Sequence, residues 1–307
     1  MRKSISLVCS IMCFAVSVVP VCAQTKVAIA SSPSADYLPA WVAQEEGFFR
    51  KHGLDSTTTT VMSSTILAGL QSGSLQVAGV PPAAMLTANE GGLDLVAIAG
   101  ASVSSKAGKN FGIVVAADSG IKNGKDLVGK KIGVPAISGM SYVLTRKYVA
   151  DSGLAPNQVS FIEVGMPQAG DALKSKSVQA SVTAAPFIQR AVQNSGASVL
   201  AYFDSIMPEG TQITPFTATR EWAARNPAAV QGFRAAIGEA IQFIEKNPQA
   251  AKVDLAKYTK LPPEVIANTV LPHYVAKVTE EDMRYWVKLD LEEGQIHSEP
   301  KTNLVAP

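Results

Sequence analysis

Cysteine is scarce in this sequence and confined to one end of it. The three cysteines are Cys9, Cys13 and Cys22, within a chain of 307 residues. The first 23 residues combine two early basic residues, an apolar run and small residues up to Ala23, which is the pattern of a cleaved export signal. We therefore expect cleavage near Ala23 and a mature chain, of about 284 residues, without thiols or disulfides.

An excess of either charge is also lacking. The full chain has 27 Lys and Arg against 25 Asp and Glu, and loss of Arg2 and Lys3 with the signal leaves 25 of each. No basic block suggests a nucleic-acid partner, and no second long apolar run suggests a membrane span. The composition predicts a near-neutral exported protein, long enough for two lobes.

Catalytic and metal-binding motifs are missing as well. The histidines His52, His273 and His297 are scattered without metal-ligand spacing, and neither a G-x-S-x-G motif nor a Cys/His pair occurs. We predict no catalytic residue, no metal, no cofactor and no enzymatic activity.

Short apolar runs alternate with helical patterns, which predicts a mainly parallel α/β fold. The alternation occurs twice, over residues 26–99 and again over residues 131–202. An apolar strand at residues 111–117 separates the two halves. After a strand at residues 212–219, only helical patterns follow, so we expect the chain to return and cover the first sheet.

Four stretches carry a family pattern. AQEEGFFRKHGLD (residues 43–55) resembles the A-x-x-x-G-F-F-x-x-x-G-L stretch of extracytoplasmic solute-binding proteins of the nitrate/sulfonate/taurine family. Residues 118–141, residues 164–187 and residues 220–251 resemble further stretches of that family, in the same order and spacing. The chain departs from the family at Gln76, where an acid is common, and at Ala184-Ala185-Pro186-Phe187, which replaces W-E-P-F. This second change predicts a wider, less charged pocket.

The resemblance implies the type II periplasmic-binding-protein fold, with two α/β lobes joined by two crossing hinge strands. We expect residues 24–112 and 208–307 to form the first lobe and residues 113–207 the second, with the hinge strands at residues 111–117 and 212–219. The resemblance also implies a periplasmic location, a membrane permease and an ATPase as partners, and we expect a monomer.

Ligand contacts are expected in loops at the carboxyl ends of strands, where open parallel sheets leave a crevice. At residues 131–148 a strand, a small polar loop and a helix follow one another, and the helix amides there can hold a ligand's polar end. Each candidate also has a purely structural alternative. The serines could only shape turns, the Ser64 hydroxyl could only cap a helix, and Phe187 could be a core residue. The candidate contacts are Ser32, Tyr37, Ser63, Ser64, Thr65, Pro81, Ser138, Gly139, Met140, Ser141, Pro186 and Phe187.

Hydroxyl-rich helix starts in both lobes favour a small organic anion, such as a sulfonate or carboxylate, as the solute of an importer. A thiamine-pyrimidine-like or other uncharged solute is an alternative. Presentation of the ligand to a membrane sensor, in place of a permease, is a second. An enzyme on the same fold is the least favoured reading, because relatives of that kind rely on cysteine or histidine chemistry.

Overall fold

The computed structural model describes residues 24–307, which form two β-sheets with helices packed on them. The predicted export signal, residues 1–23, lies outside the described residues. The strands are β1 (Thr25–Ser31), β2 (Leu54–Thr60), β3 (Val77–Gly79), β4 (Leu95–Val103), β5 (Phe111–Val115), β6 (Lys131–Val134), β7 (Ser160–Glu163), β8 (Ala180–Ala184), β9 (Ser198–Tyr202), β10 (Gln212–Thr219) and β11 (His273–Tyr274). The α-helices are α1 (Leu38–Glu45), α2 (Phe48–Lys51), α3 (Ser63–Ser72), α4 (Pro82–Glu90), α5 (Gly139–Asp151), α6 (Ala169–Lys174), α7 (Phe187–Ser195), α8 (Phe203–Ile206), α9 (Arg220–Arg225), α10 (Pro227–Lys246), α11 (Pro248–Thr259), α12 (Pro263–Ala267) and α13 (Glu280–Glu292).

The first sheet has six strands in the order β11-β4-β10-β3-β1-β2. Strands β1, β2 and β3 pair in parallel, whereas β10 runs antiparallel to both β3 and β4, and β11 antiparallel to β4. The second sheet has five strands in the order β7-β6-β8-β5-β9, and only β5 opposes the direction of the others. The predicted α/β class with two sheets is confirmed, but the sheets are mixed and not mainly parallel, because β10, β11 and β5 run against their neighbours.

Two short segments connect the sheets. They are residues 104–110 and residues 203–211, and hydrogen bonds join them where they cross. The Ser104 N–H donates to the Thr211 carbonyl at 2.8 Å, and the Asn110 N–H donates to Asp204 Oδ2 at 2.9 Å. We call residues 24–103 and 212–307 the six-stranded unit and residues 111–202 the five-stranded unit.

The strands expected at the hinge therefore lie inside the sheets. The predicted lobe boundary at 112/113 falls within β5, which pairs along its length with β8 and β9, so we propose that the boundary lies in residues 104–110. The second predicted boundary, at 207/208, falls within the other connecting segment.

The late helices cover the first sheet, as expected. Helix α10 buries Val230, Phe233 and Ile237 in one apolar cluster with β4 and α1, because its apolar residues recur at helical spacing. A second apolar cluster includes side chains from both units, among them Phe111 and Trp286. Within residues 24–307, no helix combines the length and apolarity needed to cross a membrane.

Two local predictions were wrong. The region after residue 219 contains a short strand, β11, because His273 and Tyr274 extend the edge of β4. Helix α3 begins at Ser63 with Met62 as its N-cap residue, so Ser64 lies inside the first turn and is not the cap.

Candidate functional site

A cavity of about 310 Å³ lies between the two units. Its walls are formed where parallel strands end, because Ser32 follows β1, Val80 follows β3, Pro135 follows β6 and Glu163 ends β7. Open α/β sheets leave a crevice at these carboxyl ends, and here two such crevices face each other. The arrangement can enclose a small molecule and bring it into contact with both units.

The loop after β1 forms one wall and is rigidly built. Ser34 caps the short 3-10 helix of residues 35–37, and its hydroxyl donates to Asp36 Oδ2 at 2.5 Å. The Tyr37 ring lies directly against Gly79 of β3, and a Cβ at residue 79 would overlap the ring. Asp36 and Tyr37 therefore enter the cavity wall with 4% and 2% of their surface exposed.

Burial changes the ionisation of this wall. It raises the pKa of the Asp36 carboxyl above its usual range, against the hydrogen bond from Ser34 and the nearby Ser102 hydroxyl, which lower it. Burial, together with the negative charge of Asp36, raises the pKa of Tyr37 well above that of a free tyrosine. The tyrosine is therefore a neutral hydroxyl at any physiological pH.

A buried polar network supports the loop from behind. The hydroxyls of Ser102 and Thr214 are 2.8 Å apart, and the Gln212 amide donates to the Ser102 carbonyl at 3.0 Å. The Trp286 indole N–H donates to the Gln212 carbonyl at 2.6 Å. Thr214 also lines the cavity, so the network connects the wall to α13.

The opposite wall is the loop between β6 and α5. Gly139 adopts a φ of +69°, and a Cβ placed on it would be 3.2 Å from the Ala84 Cβ of α4. Ser138 is the N-cap residue of α5, yet its side chain makes no capping hydrogen bond, which leaves its hydroxyl available to a ligand. Glu163 lies beside this loop and accepts from the Ile137 N–H at 3.3 Å.

The two units touch directly around the cavity. The Ala35 N–H of one unit donates to the Ala185 carbonyl of the other at 2.9 Å. Met62 reaches Gly165, where a Cβ would be 3.1 Å from the methionine Cε. Together with the approach of Ala84 to Gly139, these contacts hold the two units against each other beside the cavity.

The structure brings seven of the predicted contacts to the cavity wall. They are Ser32, Tyr37, Pro81, Ser138, Gly139, Met140 and Ser141. Ser63 and Ser64 begin α3, and their side chains lie outside the described part of the chain. As ligand contacts, all of these residues stay predictions.

Three predicted contacts do not reach the described cavity lining. The exposed Thr65 hydroxyl donates to the Met62 carbonyl at 2.9 Å, within the first turn of α3. Phe187 is 3% exposed and faces a separate depression between α6 and α7, and Pro186 precedes it at the N-cap of α7. Ala185, which stands in place of the W-E-P-F acid, is buried, and its carbonyl accepts from the Ala35 N–H; the wider pocket stays a prediction.

The sequence prediction missed several lining residues. The polar ones are Ser34, Asp36, Glu163 and Thr214, and apolar ones include Ile66, Leu67, Val80, Phe111 and Met166. Ser34 and Asp36 lie in the loop between Ser32 and Tyr37, but only those two residues of the loop were predicted as contacts. Glu163 was visible as the last residue of a predicted strand, which is a position that faces the crevice.

This fold and this cavity define a class of protein. Two α/β units joined by two crossing segments, with a solute-sized cavity between them, are the architecture of the type II periplasmic binding proteins. The alkanesulfonate-binding protein SsuA from Xanthomonas axonopodis pv. citri, solved with MOPS bound, superposes with a TM-score of 0.78 at 20% identity, over 93% of this chain and 98% of that one. The periplasmic nitrate-binding protein NrtA from Synechocystis PCC 6803 gives a TM-score of 0.78 at 16% identity, over 89% and 82%.

The sequence places the chain more narrowly. The pattern of the NMT1-like family matches residues 22–259, and the chain belongs to that family. A protein of Brucella abortus (strain 2308) that is named as a binding protein is 31% identical over 222 residues, which are 72% of this chain and 67% of that protein. The predicted relationship to solute-binding proteins of ABC importers is confirmed.

Proposed function

We propose that this protein captures a small organic solute between its two units in the periplasm and delivers it to the permease and ATPase of an ABC importer. The observation that carries the proposal is the cavity of about 310 Å³ at the facing carboxyl ends of both sheets. Its volume suits one compact organic molecule, and both units contribute to its wall. The kinship with periplasmic sulfonate- and nitrate-binding proteins supports the same assignment.

Capture would work by population shift. A solute that contacts both units favours the closed arrangement, and the closed form is the one that a permease can distinguish. Binding without turnover is the function we assign, since the fold and the relatives are those of binding proteins.

The finer prediction of a sulfonate or carboxylate solute receives less support from the site. It rests on the amino end of α5 and the Ser138 hydroxyl, which suit an anion or any other hydrogen-bond acceptor. The described lining residues include the carboxyl groups of Asp36 and Glu163 but no Lys, Arg or His. An uncharged or positively charged solute therefore fits this wall better than an anion does.

Closure can be measured directly because the mature chain has no native cysteine. Lys246→Cys on α10 and Lys125→Cys would carry a donor and an acceptor dye on the two units, at exposed positions. We expect a solute found by thermal-shift screening to raise energy transfer between the dyes. The screen would contain sulfonates such as MOPS, carboxylates, nitrate, pyrimidines and amines.

A matched control places both dyes on the five-stranded unit, at Lys125→Cys and Lys174→Cys. Its energy transfer should not respond to the solute. Solutes that stabilise the protein without changing the distance between the units would contradict capture by closure. Failure of every class in the screen to bind would contradict the proposed function itself.

A further inference from the structure

Carboxyl groups line the cavity on both sides. Asp36 lies on the six-stranded unit and Glu163 on the five-stranded unit, and no described lining residue carries a positive side chain. A third carboxyl group, that of Asp204, is close enough for the Asp36 charge to contribute, after burial, to raising its pKa to about 6. An anionic solute would have to enter this field without a counter-charge.

Asp36 has an unfilled hydrogen-bonding position. Its Oδ2 accepts from the Ser34 hydroxyl, but its Oδ1 is buried and has no partner. A buried carboxylate oxygen without a donor is costly, because water has been removed and nothing replaces it. The residue is 96% buried, since only 4% of its surface is exposed, and it lines the cavity. A solute whose N–H reaches this oxygen on binding would remove this cost.

Glu163 supplies the carboxyl group on the opposite wall of the cavity. Its Oε1 accepts from the Ile137 N–H, which holds the carboxylate beside the amino end of α5. An anion bound at that helix end would approach the Glu163 charge, whereas a cation or a neutral donor would be attracted to it. The carboxyl groups of Asp36 and Glu163 therefore both favour a cation or a neutral donor over an anion.

The rest of the wall is mostly apolar. Ile66, Leu67, Val80, Phe111, Met140 and Met166 surround the space between the two carboxyl groups. Such a surface suits a compact hydrocarbon or aromatic body and offers poor solvation to a sugar or an amino acid zwitterion.

From these observations we propose that the solute is a small organic cation, in which an amine or amidinium nitrogen on a compact apolar body donates to Asp36. This inference rests on the proposed function, since it names the ligand class of the same cavity. The Asp36 contact fixes the cationic end, Glu163 adds a favourable field, and the apolar side chains enclose the body.

The test compares probes that share a carbon skeleton and differ in charge. Benzylamine, benzamidine, benzyl alcohol and benzoate, with pentylamine, pentanol and hexanoate as an aliphatic set, would be titrated calorimetrically into the mature protein at pH 7.5. A charge-assisted hydrogen bond predicts that a cation of at least one set binds about tenfold or more tightly than the matching alcohol. The carboxylates should bind more weakly than the alcohols.

Variants identify the responsible groups. Asp36→Asn should abolish the preference for the cation, and Glu163→Gln, at an exposed position, should reduce it without affecting the fold. Asp55→Asn, an exposed carboxylate on β2 far from the cavity, should leave the preference unchanged. If Asp36→Asn fails to fold, judged by circular dichroism, the Glu163→Gln result decides the test.

The outcomes separate this inference from the proposed function. Tighter binding of a carboxylate than of its paired amine overturns the cation inference and leaves solute capture intact. A preference for the cation that survives in a folded Asp36→Asn variant also overturns it. If no probe and no member of the wider screen binds, the proposed function fails, and the inference fails with it.

Discussion

Asp290 on α13 allows a quantitative test of how a buried carboxyl group changes the stability of this protein. It lies on the same helix face as Met283 and Trp286, and all three residues are 0% exposed. Neither carboxylate oxygen of Asp290 has a hydrogen-bond partner. Burial alone raises the pKa of this group to about 7. We predict that Asp290→Asn stabilises the protein in a strongly pH-dependent way.

The sign follows from linkage between ionisation and folding. In the unfolded chain Asp290 ionises near pH 4, whereas in the folded protein it stays neutral up to about pH 7. Between these values the folded state binds more protons than the unfolded state, so the carboxyl group makes the protein less stable as the pH rises. The shift spans about 3 pH units at roughly 1.4 kcal/mol each, which gives about 4 kcal/mol as the limit above pH 7. Asparagine keeps the shape and does not ionise.

The assay is urea denaturation of the mature wild-type and Asp290→Asn proteins between pH 4 and pH 8. The variant should match the wild type at pH 4 and exceed it by a few kcal/mol at pH 8, because groups common to both proteins cancel in the difference. Asp55→Asn, on an exposed part of β2, should show no such pH-dependent gain. A stability difference that does not change with pH, or one that shrinks as the pH rises, would refute the reasoning.

Two further predictions concern glycines at the cavity. Gly139→Ala places an alanine in the left-handed backbone region and crowds Ala84. We expect the stability measured by thermal denaturation to fall by about 1–2 kcal/mol and the solute to bind more weakly. Gly120→Ala has the same backbone strain, at φ +72°, with open space around it, and should lose stability without losing affinity. Gly79→Ala should lower the melting temperature because its Cβ overlaps the Tyr37 ring, and the loss should be smaller in a Tyr37→Leu background. Equal losses in both backgrounds would contradict that explanation.

The fold was largely readable from the sequence because its signals are local. Two predicted strands, at residues 131–134 and 212–219, match β6 and β10. Short apolar runs that are bounded by loops are typical of buried strands. Strand β11 was missed because two residues carry no periodicity. It exists only because the long β4 edge offers partners to His273 and Tyr274.

Only part of the site could be predicted from the sequence, because the position of its carboxyl groups depends on packing between residues that are far apart in the chain. The loop before α5 was predicted from a strand, a small polar turn and a helix, and it does line the cavity. Asp36 was missed, since Ser34-Ala35-Asp36 has the pattern of an ordinary capped turn. Its burial arises from the fold around Ser102 and from Tyr274, whose hydroxyl donates to the Ala35 carbonyl at 2.7 Å. These residues are far away in sequence, and no local pattern connects them.

The same residues suggest how a solute would control closure. Contacts such as the hydrogen bond from the Ala35 N–H to the Ala185 carbonyl favour the closed arrangement whether or not a solute is bound. A solute shifts the balance further only through contacts that exist when the two units are together. In the proposed binding mode these are the contacts of the solute body with residues such as Met140 and Met166 of the five-stranded unit, and they are the differential interaction that a population shift requires. Asp36 would then set the affinity, so Asp36→Asn should weaken cation binding, whereas the energy transfer at saturating solute should stay as in the wild type.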